Sequence, residues 1–249
     1  MYHDTVSTIS SELEALADEE KQIVLPRFFK TAPGEYGEGD RFMGVTVPRI
    51  RSVAVRHLDA GDDDITALLA SPWHEMRMCG LIIMVENCKY TLRKSWIAKH
   101  SAEAGERLRQ SYYTLYLGHT SHINNWDLVD LSCPTVIGGY LLDKPRDILY
   151  TLAASSSLWE QRIAVVSTFA FIRRGECDDI YALAGILLRH PHDLMQKAVG
   201  WMLREAGKRD GLRLRMFLDM HAHEMPRTML RYSIEKFSPA ERYHYMHDM

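Results

Sequence analysis

The sequence predicts an all-α protein, an α-solenoid built from repeated helix pairs. Three observations predict it. Apolar residues recur at helical spacing in almost every segment. No stretch shows clean two-residue alternation bounded by hairpin turns. Helices with similar opening turns recur along the chain, with Arg162, Lys197 and Arg227 separated by 35 and 30 residues.

The elements follow in order. "KTAPGEYGEGDRF", residues 30–42, is poor in helix formers and reads as a surface connection, with "MGVTVPRIR" leading into the next helix. "WHEMRMCGLIIMVENC" places Met76, Gly80, Ile83 and Met84 on one side, with Glu75 and Arg77 elsewhere. In "NNWDLVDLSCP" Asn125 is the N-cap candidate, Trp126 the first helical residue and Asp127 a first-turn carboxylate. "LWEQRIAVVSTFAFIRR" repeats Ile163, Val166 and Ala170, and "DLMQKAVGWMLREAGKRD" repeats Leu194, Ala198, Met202 and Ala206. Shorter helices over 62–70, 145–154, 177–189 and 211–221 precede the four members of the repeat, which end with "HAHEMPRTMLRYSI". Ser71-Pro72, Lys144-Pro145 and His190-Pro191 mark boundaries, and Gly207 and Gly211 read as terminators. Imperfect helix pairs of this length are the signature of HEAT-like repeats, whose second helices line a concave groove.

Composition agrees. With 249 residues, 46% of them apolar and 25% charged, the chain can bury a sizeable core and is read as one domain over 1–249. Cys79, Cys88, Cys133 and Cys177 form no C-x-x-C pair, so they read as buried thiols of a reduced, cytoplasmic protein. No basic n-region with an apolar h-region opens the chain, and no apolar run is long enough for a membrane span. Net charge is −3 but uneven: residues 1–80 carry −6 and residues 160–249 carry +2. Binding to nucleic acid therefore needs a local basic face.

Trp126 and Asp130 are i and i+4 on one helix, so they share a face. Asp127 suits an ordinary capping role; Asp130, past the first turn between Val129 and Leu131, suits it less. Trp201, Arg204 and Lys208 form a stripe at i, i+3, i+7, either a core indole with two snorkelling cations or a wall that stacks on sugar or base and holds phosphates. Gly200 beside the indole allows another backbone to approach. Arg162 opens an apolar helix, and Arg173, Arg174, Arg213, Arg215, Arg227 and Arg231 are candidate phosphate contacts or merely solvated charges. Phosphate-loop, dinucleotide and nucleophile-elbow motifs are absent, and "HEMPR" lacks the second histidine of a zinc motif. His221, His223, His244 and His247 read as surface histidines, so neither metal nor cofactor is expected.

"FMGVTVPRIR", "NNWDLVDLSCPTVIG", "LWEQRIAVVSTFAFIRRGE", "MQKAVGWMLREAGKRD" and "MPRTMLRYSIEKF" together resemble the AlkD-type DNA alkylation repair glycosylases, from about Phe42 to Phe237. That resemblance implies an all-α stack of HEAT-like repeats with a concave DNA-binding groove. It implies hydrolytic removal of cationic N3- and N7-alkylpurines from double-stranded DNA, with the lesion left largely in the duplex. Asp130 would be the electrostatic catalyst, and Trp126 and Trp201 the walls around the sugar. Arg162 would face the DNA backbone, and Arg204 and Lys208 fall where the family places further cations. Lys197 and Arg173 complete the expected DNA-binding set. A monomer without membrane association is expected. The alternative is a non-catalytic HEAT module that binds duplex or branched DNA, or a protein.

Overall fold

The computed structural model describes residues 5–247, so residues 1–4 and 248–249 of the expected 1–249 domain lie outside the described residues. Those described form helices and turns, with one isolated bridge between Arg41 and Trp73 and no strand. The all-α expectation holds. Among the described residues no helix is long and apolar enough to cross a membrane. The chain divides into two compact units, residues 1–140 and 141–249.

The first unit holds α1 (Thr5–Glu14), α2 (Glu19–Phe28), α3 (Val47–Ala54), α4 (Asp62–Leu69), α5 (His74–Tyr90), α6 (Lys94–His100), α7 (Ala102–Gly118) and α8 (Trp126–Cys133). Its centre is α5, which packs against α1, α3, α4, α7 and α8. The sequence pattern gives α5 one apolar side, but the structure buries it almost all round, including Glu75 at 1% and Arg77 at 4% exposure. Charges at that depth persist only with partners, and these partners build the site described below. Between α5 and α8 lie two further helices, α6 and α7. Helix α8 ends because Pro134 has no N–H to donate to the Asp130 carbonyl, and the path continues as a π-helical turn over Pro134–Gly138.

The second unit holds α9 (Asp147–Ala153), α10 (Leu158–Ser167), α11 (Phe169–Ile172), α12 (Asp178–Ile186), α13 (Asp193–Gly207), α14 (Gly211–His221), α15 (Arg227–Ser233) and α16 (Pro239–His247). The prolines stand just ahead of α5, α9 and α13, as expected from their fixed φ. Gly207 does end α13, whereas Gly211 begins α14 behind the N-cap Asp210, whose carboxylate accepts from the Arg213 N–H. Helix α13 is the hub here, packed most extensively on α15 and also on α10, α12 and α14. Ala198, Met202 and Ala206 of its expected apolar stripe are fully buried.

All four cysteines are free and buried. Burial pushes the Cys79 and Cys88 thiols up to about 12, which keeps them protonated and unreactive.

Gly200 shows why the α13–α15 contact is tight: a Cβ there would lie 2.6 Å from the Met229 carbonyl oxygen and 2.6 Å from Tyr232 Cβ. Gly200→Ala should therefore lower stability by about 1–3 kcal/mol, the usual cost of overpacking. A urea melt with an unchanged midpoint would contradict so close an approach.

Candidate functional site

Asn125 is fully buried and caps α8, its side-chain oxygen accepting from the Trp126 N–H at 2.9 Å. The cap sets where the helix starts, and so sets the face that Trp126 and Asp130 share. Both are half-buried. Beneath them the buried Tyr116 hydroxyl meets Ser132 Oγ at 2.8 Å. Burial pushes that hydroxyl well above its ordinary range, and the negative charge of Asp130 adds to the shift.

The polar face of the same helix turns into a buried charge cluster. His74, the first residue of α5, has Nε2 2.9 Å from Asp127 Oδ2 and Nδ1 3.2 Å from Asp40 Oδ2. Arg77, one turn later, donates to the other Asp40 oxygen at 2.6 Å. Asn124 and Asn125 donate side-chain N–H groups to Asp40 at 3.2 and 3.3 Å. Burial alone would lower the His74 pKa; the hydrogen bonds to Asp127 and Asp40 override it and raise it to about 9. Burial alone would raise the Asp40 pKa; the His74 hydrogen bond and the charges of Arg77 and His74 lower it instead. With His74 charged, the two cations balance the two carboxylates. With His74 neutral, a net negative charge would remain buried, which is strongly unfavourable.

An aromatic column joins this cluster to Trp126. Phe42 stacks on His74 at 4.7 Å and on Phe29 at 5.0 Å between ring centroids. Phe29 stacks in turn on Trp126 at 5.6 Å, and Phe28 meets the indole edge-on at 6.1 Å. The rings that face the His74 imidazolium supply cation–π attraction. Next to His74, Glu75 accepts backbone N–H groups from Met43, Gly44 and Val45 at 2.9, 2.8 and 3.2 Å. Gly44 takes φ of +86°, and a Cβ there would sit 2.3 Å from the Asp18 carbonyl oxygen. Glu75 thus anchors the end of the glycine-rich loop to α5, and the loop delivers Asp40. The loop is therefore more than the surface connection its composition suggests: Glu35 and Glu38 are exposed, but Asp40 is 9% exposed and sits under the α8 cap.

The remaining candidates lie in the second unit. Trp201 is half-buried on α13, with its ring 5.8 Å from Phe169, over which the Arg173 guanidinium stacks at 4.2 Å. Arg162, expected on the DNA backbone, is only 5% exposed and donates to the Leu194 carbonyl at 2.5 Å, tying α10 to the first turn of α13. Three of the other expected DNA-binding cations carry carboxylate partners of their own chain, whereas Arg173 lies over the Phe169 ring. Lys197 pairs with Asp193 at 2.6 Å, Lys208 with Glu205 at 2.8 Å, and Arg204 with Glu235 and Glu205.

The sequence reading singled out Trp126 and Asp130 and gave Asp127 only a capping role, and it passed over the cluster of Asp40, His74 and Arg77 and the rings of Phe29 and Phe42. The available signals were slight: a histidine and an arginine three apart at the head of an apolar helix, and the Asn124-Asn125 doublet. Nothing in the sequence links Asp40 to residues 34 and 87 positions away.

Residues 9–237 match the family model described as DNA alkylation repair enzyme. A search of curated proteins gives no match. A solved structure, described as a predicted DNA alkylation repair enzyme from Enterococcus faecalis, aligns with a TM-score of 0.65 at 14% identity, covering 90% of this chain and 97% of that one. That likeness establishes a shared fold.

The charge cluster sets a pH dependence. His74 is raised in the folded state, so its contribution is complete below its ordinary value near 6.5 and is lost as pH rises through about 9. Asp40 is lowered, so its contribution holds above the ordinary carboxylate range and is lost as pH falls through its folded value. Between pH 6.5 and 9 the wild type should lose about 3 kcal/mol that His74→Gln does not lose, the variant being less stable at neutral pH. Parallel denaturant titrations check this; equal slopes for both proteins would show that His74 carries no charge.

Proposed function

Because the chain belongs to the DNA alkylation repair enzyme family, we propose that it is a DNA glycosylase for cationic N3- and N7-alkylated purines in duplex DNA. The observation that carries this reading is the face of α8, where a half-buried carboxylate, Asp130, lies one turn from a half-buried indole, Trp126, on a helix fixed by buried charges.

The chemistry asks little more. An N3- or N7-alkylpurine already carries positive charge, so it leaves without a general acid. As the C1′–N bond breaks, its electron pair goes to the purine, which departs neutral, and positive charge builds on the sugar. A carboxylate near C1′ stabilises that oxocarbenium-like transition state. Water then forms the C1′–O bond, and its proton passes to Asp130 or to solvent. Trp126 presents a π face to the cationic sugar. The lesion is read without extrusion of the base. Helix pairs α4/α5, α9/α10 and α12/α13 pack together and support a reading as HEAT-like repeats.

The test is base release from a duplex with a single N7-methylguanine. Asp130→Asn should cut release about 10²–10³-fold, the usual effect of removing one preorganised transition-state contact, with duplex binding nearly unchanged. Equal loss of binding and release would remove Asp130 from catalysis. Binding without release by either protein would favour the non-catalytic DNA-binding module.

A further inference from the structure

We propose that the short helix α6 and the turn before it form a separate contact for the phosphate backbone of duplex DNA, at the far end of α5 from its His74 head. Between Glu86 and Glu103 the sequence carries Lys89, Arg93, Lys94 and Lys99 and no carboxylate, in a chain whose net charge is −3. Such a run makes the local basic face that binding to a polyanion needs.

Three of these cations are open to a ligand. Lys89 pairs with Glu86 at 3.0 Å. Arg93, Lys94 and Lys99 are exposed, and no carboxylate among the described residues pairs with them. That separates them from Lys197, Arg204 and Lys208, which are held by carboxylates of their own chain. The Arg93 guanidinium lies over the Tyr90 ring at 4.0 Å. The stack steadies its plane and leaves N–H groups at its edge to donate to phosphate oxygens.

The scaffold beneath the cations is fixed by one side chain. No residue of α6 is itself buried, but Trp96 turns in against α7, where a Cβ at Gly105 would lie 3.1 Å from the indole Cζ3. His100 stacks on the same indole at 4.6 Å. This inward turn also favours DNA over a lipid surface. A helix that lies in a bilayer interface buries its aromatic and aliphatic face in the lipid. Here the indole is committed to Gly105, and of the segment 89–100 only Leu92 and Ile97 are exposed large apolar side chains.

The choice of duplex DNA as the polyanion rests on the reading above. Helix α5 has 17 residues and is therefore about 25 Å long. His74 heads it beside α8, and Tyr90 ends it just before α6. That length corresponds to roughly seven base pairs at about 3.4 Å each. The contact is therefore made with phosphates away from the bond that breaks.

The test is binding of an unmodified duplex, long enough to span both regions, measured against salt on the full chain. The proteins are the wild type, the neutral Arg93→Gln/Lys94→Gln/Lys99→Gln and the charge-keeping Arg93→Lys/Lys94→Arg/Lys99→Arg. The neutral variant should make the log–log salt slope shallower by about two to three, at roughly 0.9 for each lost phosphate contact, and the charge-keeping variant should restore it. An unchanged slope would overturn the contact. So would sedimentation of the wild type, but not of the neutral variant, with phosphatidylserine vesicles at an unchanged DNA slope, which would assign the patch to a lipid surface. Base release enters none of these readouts. Release with an unchanged slope sinks this contact alone, and a changed slope without release sinks the glycosylase reading alone.

Discussion

The contact of His74 with Asp40 and Asp127 joins three segments that are far apart in the chain: a glycine-rich loop, the head of the central helix α5 and the first turn of α8. Each partner needs the others. Asp40 is buried and is tolerable there because Arg77, His74 and two asparagine side chains reach it. His74 is buried and stays charged because two carboxylates flank it. Removing any one partner leaves an uncompensated buried charge, which costs far more than a surface pair is worth. The cluster therefore rigidly sets the start of α8, and with it the direction in which Trp126 and Asp130 project.

Two carboxylates on one helix then have separate duties. Asp127 faces inward and accepts from His74, and its other oxygen accepts the Leu128 N–H at 2.8 Å. Asp130, three residues on, shares the Trp126 face and is only half-buried. In the second unit the cations are handled differently. Arg162 is drawn inside onto a carbonyl, while Lys197, Arg204 and Lys208 are paired with carboxylates at the surface. Such partly exposed pairs are screened by salt and contribute little to stability.

Much of this was legible in the sequence where local rules operate. The helical period, the prolines ahead of α5, α9 and α13, the Asn125 cap and the close approach at Gly200 all follow from short-range sterics and spacing. So does the shared face of Trp126 and Asp130. The cluster was not legible, because its members come from segments up to 87 residues apart and ordinary side-chain types give no sign of burial. Glu75 and Arg77 look like the polar side of an amphipathic helix until tertiary contacts bury α5 all round. Arg162 was open to the same error. Gly211 was misplaced because a glycine near a helix boundary can stand on either side of it.

The most direct test is the protonation state of His74, read by ¹⁵N NMR of its imidazole across neutral pH. The cluster predicts that both ring nitrogens remain protonated through pH 8, with titration only near 9. Titration near the ordinary histidine value of about 6.5 would mean that the two carboxylates do not clamp a cation, and the account of how α8 is held would fail.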